Sequence, residues 1–238
     1  MRIMQTSFLF SMLLIVSVTD AQTPYPVKHF EPSDFSKEDS IQLLQTFGKN
    51  KLLIPQFALQ TLVALSYYPE LKNTSIHFIY KFAVSTLATK PDFPSLLLNG
   101  DKRTFTIIIS DSSVQQLEPV ILPKMGFNAQ VGIIGHELAH VADFKQRSLL
   151  SLTGSGLGHL FSARYIDRFE FRTDSICIVH GLGYQLLAWS NFIRNTMHTT
   201  NWEGADNINH MPMMHERYMN PSTIEKYMAK MSIYKNNN

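Results

Sequence analysis

Apolar residues recur every three to four positions over much of this chain and predict helices at 41–47 and 51–68. Pro55 falls early enough to sit in the second helix's first turn, and Pro69 closes it. Two stretches, Ser75–Val84 and Arg103–Ser110, are instead rich in β-branched and aromatic residues and read as strands. Lys90–Asn99, with Pro91 and Pro94, reads as a loop between them, and Pro119 and Pro123 mark another. Helical spacing then returns over about Ala129–Arg147, with Asn128 as the expected N-cap. A glycine-rich connection, Leu152–His159, leads to a helix over about Ser162–His180, which resumes after Gly181-Leu182-Gly183 as far as Arg194. Asn195–Met214 is polar and irregular. Asn220 and Pro221 open a last helix to about Met231, before a tail, Asn236–Asn238, expected to fray. The expected fold class is α+β, mostly helical, with a small sheet upstream of the central helices.

The first residues follow a different pattern. Arg2 precedes an apolar stretch, Phe8–Val18, and Thr19-Asp20-Ala21 ends in a small residue, the layout of an export signal over 1–21. The stretch is too short for a bilayer span, which needs about 20 residues. The mature chain is therefore expected to be exported, periplasmic or secreted, with an uncleaved N-terminal anchor as the alternative. The longest later apolar stretch, Ile176–Trp189, is broken by His180 and Gln185, so no integral membrane segment is expected after cleavage. The remainder divides into a helix-and-strand region, 22–100, packed on a second region, 101–238, that ends in the C-terminal helix.

Composition narrows the chemistry. A net charge of +2 over 238 residues, without an evident basic patch, gives no reason to expect nucleic acid as a partner. One cysteine, Cys177, excludes a disulfide framework and a Cys-rich zinc ribbon, and fits a small buried apolar residue.

Residues 136–140 read His-Glu-Leu-Ala-His inside the predicted helix. Histidines at i and i+4 differ by about 40° around a helix and lie one turn apart, so both rings leave one face, as two ligands of a tetrahedral Zn²⁺ require. Glu137 lies about 100° round, badly placed to ligate but able to reach a metal-bound water. With 9 histidines in the chain, about 0.013 such motifs are expected by chance. Val131, Ile134, Leu138 and Val141 form an apolar stripe on the opposite face, while Ala129, Gly132 and Ala139 leave room beside the histidines.

A catalytic zinc site wants a third protein ligand. The pattern H-E-x-x-H-x-x-G-x-x-H fails, since 143 and 146 are Asp143 and Gln146. Glu170 on the next long helix is the better candidate. Asp174, one turn on, can accept the free ring N–H of a ligand histidine and fix its tautomer. Ile166, Phe169, Cys177 and Ile178 would seat that helix in the core. Asp143 and Asp167 are lesser alternatives, because neither has a carboxylate partner at that spacing.

His136-Glu137-x-x-His140 followed by Glu170-x-x-x-Asp174 resembles the gluzincin zinc metallopeptidases, which include the thermolysin-like and M48-like families. The resemblance covers about residues 128–180 and fits the M48-like families better for size. It implies a zincin-like minimal metallopeptidase domain, with the strand at 103–110 bordering the substrate cleft. It also implies an exported zinc peptidase, acting on a peptide or protein, in which Glu137 activates a zinc-bound water. A further electrophile would stabilise the oxyanion, and His180, His210, His215, Arg217 and Tyr218 are all available. Two competing readings stand beside it: a non-catalytic, zinc-stabilised binding protein on the same scaffold, and a metal-dependent hydrolase of a non-peptide substrate. Glu137 favours catalysis, since a structural site needs no general base. Gly154–Gly158 resembles a phosphate loop only superficially. Met211, Met213 and Met214 beside His210 and His215 suggest packing before copper.

Overall fold

The computed structural model describes residues 24–147, 163–204 and 216–235. The expected signal at 1–21, the glycine-rich connection, His210, His215 and the methionines between them, and the C-terminal tail at 236–238 lie outside these residues. The fold is α+β. Six α-helices (α1 Lys37–Phe47, α2 Ala58–Ser66, α3 Phe127–Gln146, α4 Ala163–Val179, α5 Gly183–Met197 and α6 Pro221–Lys230) accompany four strands among the described residues. The strands are β1 Lys51–Leu52, β2 Ser75–Lys81, β3 Leu87–Pro91 and β4 Thr104–Ser110, in the order β1-β2-β4-β3. β1, β2 and β4 run parallel, and β3 joins β4 antiparallel at the edge. One sheet thus draws strands from both sides of residue 100.

The sheet turns Ile76, Phe78, Phe105, Ile107 and Ile109 toward a helical layer centred on α3. Every α3 residue from Asn128 to Asp143 is buried, because α2, α4, α5 and β3 surround the helix. The expected apolar stripe of Val131, Ile134, Leu138 and Val141 is fully enclosed. α3 ends under Arg103, whose guanidinium donates to the carbonyls of Phe144 and Arg147 (3.0 and 2.7 Å), a cation placed where the helix dipole is negative.

Several boundaries differ from expectation for local reasons. Only Ala58–Ser66 of 51–68 is α-helical: Lys51 and Leu52 pair with β2, and Pro55 opens a 3₁₀ turn. The Lys51 ammonium is held by the carbonyls of Lys49, Leu71, Lys72 and Thr74. Lys90 and Pro91, expected in a loop, close β3, a strand missed because Pro91 punctuates it; proline is tolerated on an edge. Gly126, not Asn128, holds the N-cap position of α3. The Asn128 side chain instead accepts from the Phe30 amide (3.0 Å) and from Gln185 (3.2 Å), tying the N-terminal lead-in to the core.

Residues 164–197 include an 18-residue window of mean hydropathy 1.2, of which 56% is buried. Gly181, at φ +95°, breaks this run into α4 and α5. Cys177, Ile178, Leu182, Leu186, Trp189 and Ile193 then face the core, so the apolar character serves packing. Cys177 is free and buried, as expected.

At Gly132, α3 lies directly against the backbone of α5. A Cβ there would stand 2.1 Å from the Gln185 carbonyl oxygen, a backbone atom that cannot swing aside. Gly132→Ala is expected to lower stability by about 3 kcal/mol or more, read as a shift in the denaturant midpoint. An unchanged midpoint would show that the helices part there without cost.

Candidate metal centre

α3 and α4 cross so that Glu170 faces both histidines. The Glu170 Oε2 atom lies 3.1 Å from His136 Nε2 and 3.2 Å from His140 Nε2. One ligand atom from each of His136, His140 and Glu170 lies within 4.8 Å of the others. The i, i+4 spacing does what rotation requires: the imidazoles are one turn apart, 4.8 Å between centroids and nearly perpendicular at 88°.

The remaining ring nitrogens are held by α4. His136 Nδ1–H donates to Asp174 Oδ1 at 2.8 Å. Thr173 Oγ1 donates to the Phe169 carbonyl (3.0 Å), so its lone pair is free to accept His140 Nδ1–H at 3.2 Å. Both Nε2 atoms thereby face Glu170. Asp174 does a second job, its Oδ2 accepting the Met219 amide at 2.7 Å. That bond draws the 216–220 segment over the site and seats Tyr218 against His136, with centroids 5.6 Å apart. Trp189 from α5 closes the same side at 5.7 Å from His136, and Phe169 stacks on His140 at 4.9 Å.

Burial by itself would lower the His136 pKa, but hydrogen bonds and charge from Asp174 and Glu170 prevail and carry it up to about 10. Burial opposes ionisation of Glu170 as well, yet His140 and His136 hold its carboxyl well below the usual carboxylate range. Opposite charges are thus favoured on His136 and Glu170, and a metal bound by the triad would have to take the place of the ring proton.

Glu137 is buried on the neighbouring face of α3, where its Oε2 accepts the Thr89 hydroxyl of β3 at 2.6 Å. Oε1 takes no hydrogen bond among the described residues. The strand beside the site is therefore β3, not the expected one at 103–110, which lies inside the sheet between β2 and β3. The register explains this: Thr89 pairs with Ile107 and shares its face toward α3. Burial, then the charges of Glu170 and Glu137, push the Tyr218 phenol well above its ordinary pKa, so it stays an O–H donor.

The other sequence candidates are placed elsewhere. Asp143 pairs with Arg147 and Arg172 (2.7 and 3.0 Å), and Asp167 with Arg217 (2.9 Å). His180 pairs with Glu70 at 2.8 Å and stacks on Tyr68. Of the proposed electrophiles among the described residues, only Tyr218 stands at the triad. Thr89, Thr173 and Trp189 were not legible as site residues; Thr173, three residues after Glu170 on one helix, was the one with a signal in the spacing. Comparison with models of known protein families, with curated proteins and with solved structures finds no match.

Proposed function

We propose that this chain is a zinc-dependent peptidase of zincin-like architecture. The observation that carries the reading is the convergence of His136, His140 and Glu170 with an adjacent, uncoordinated carboxylate, Glu137. Two imidazoles and one carboxylate are the donor set of catalytic zinc sites that keep one position open. Tetrahedral bonds of about 2.05 Å separate ligand atoms by about 3.3 Å; Glu170 stands 3.1 and 3.2 Å from the two ring nitrogens, and the three ligand atoms together lie within 4.8 Å of one another. Bound zinc would polarise a scissile carbonyl and acidify a water molecule.

The chain's own residues supply the rest. Thr89 holds one oxygen of Glu137, which leaves the other to take the proton of an attacking water and return it to the leaving amine. Tyr218, kept protonated, donates toward the developing oxyanion. β3 presents an edge to which an extended peptide can add by backbone hydrogen bonds, the feature that favours a peptide over other hydrolysable substrates.

The test combines metal analysis with hydrolysis of a peptide library by the zinc-loaded protein. One zinc per chain with cleavage supports the reading, and one zinc without cleavage removes it. Tyr218→Phe is expected to lower kcat about 10²-fold with KM and zinc content nearly unchanged. A rise in KM alone would make Tyr218 a binding contact.

A further inference from the structure

The face of α4 turned away from the triad carries Arg164, Arg168 and Arg172, and with α6 it walls a cavity of about 790 Å³. Phe171, Ser175, Thr223 and Tyr227, with the acids Asp167 and Glu216, complete the walls. The strip is hidden in the sequence because acids are interspersed among the arginines; a period of 3.6 turns Glu170 and Asp174 toward the triad, while Asp167 stays beside the arginines at the cavity.

The charges there are not balanced. Arg172 is paired with Asp143, and Asp167, which also lines the cavity, is paired with Arg217. The Glu216 carboxylate is taken up by the Asn220 amide and side chain and the Thr223 hydroxyl. Arg164 and Arg168 are exposed and have no carboxylate partner among the described residues. Lys230 lies over the ring of Tyr227, one of the lining residues, at 5.7 Å.

We propose that the cleft between α4 and α6 is a docking groove for an extended acidic peptide segment. Arginines four residues apart on a helix repeat every 6 Å or so, and alternate side chains of an extended peptide repeat every 6.6 Å or so. Carboxylates at every second position can therefore meet Arg164 and Arg168 in turn, with Arg172, already paired with Asp143, marking the end of the strip. Guanidinium groups bind such carboxylates in bidentate fashion. Phe171 and Tyr227, in edge contact at 5.8 Å, give the groove an apolar floor for the residues between. Binding needs neither zinc nor peptidase activity, so it stands or falls apart from the reading above.

The experiment is fluorescence anisotropy with a labelled peptide of alternating Glu and Ser, its Gln analogue, and a single-stranded oligonucleotide of equal charge as competitor. The metal-free protein is compared with Arg164→Gln/Arg168→Gln, whose two sites are solvent-exposed and whose fold is checked by circular dichroism. The acidic peptide is expected to bind about tenfold or more tightly than the Gln analogue, and to lose about that factor in the double variant. Absence of binding, equal binding of the Gln peptide, or an unaltered double variant would overturn the proposal. So would an oligonucleotide that displaces the peptide at equal or lower concentration, which would make the strip a general polyanion site.

Discussion

Glu137→Gln is expected to reduce peptide hydrolysis by about 10³–10⁴-fold, within the contribution of a positioned general base, while zinc remains at one per chain. The substitution changes little else. Gln matches the volume of the buried side chain, and its amide oxygen can still accept the Thr89 hydroxyl now found at 2.6 Å. What it cannot do is hold a proton in transit. Because Glu137 is not among the clustered ligand atoms, metal content should not follow activity. The two readouts separate the alternatives. Activity above about a tenth of wild type would exclude Glu137 as the base. Parallel loss of zinc and activity would make it a structural support of α3. Retention of both zinc and the fold in a protein that never cleaves peptide, even before substitution, would favour the zinc-stabilised binding protein instead.

How much was legible in the sequence depended on range. The triad could be read because both of its parts are local: a helix converts the spacings 136/140 and 170/174 into shared faces, so only the meeting of two helices had to be supplied. The small residue Gly132 on that face of α3 admits a different helix, α5, whose Gln185 backbone it meets. β3 was not legible. Its five residues, Leu87–Pro91, end in proline, and its place at the sheet edge comes from pairing with Ile107 and Ile109, some twenty positions later. With β3 went Thr89, hence the group that holds Glu137. Asn128 failed differently. Its side chain suits a helix cap, but its burial and its bonds to Phe30 and Gln185 recruit it to the core. Tyr218 was one of five equal candidates until the Asp174–Met219 hydrogen bond fixed the segment that carries it.

That bond makes Asp174 more than a support for one histidine, and it sets the order in which metal affinity should fail. Glu170→Ala removes a ligand and leaves two imidazoles, so zinc affinity should fall by more than about 100-fold, beyond the loss usual for a residue behind a ligand. Asp174→Asn keeps an oxygen able to accept the His136 Nδ1–H now held at 2.8 Å, but the amide cannot also accept the Met219 N–H. It also removes the negative charge that raises the basicity of His136. Its affinity should fall by about 10–100-fold, between wild type and Glu170→Ala. Chelator competition measures all three proteins, and kcat of Asp174→Asn at saturating zinc supplies a second readout. If Asp174 also positions Tyr218, kcat stays depressed after the site is refilled; if it acts only through His136, kcat returns. Glu170→Ala binding zinc as tightly as wild type would place the third ligand elsewhere, and the alignment of Glu170 between the two Nε2 atoms would then be an ion pair of the core.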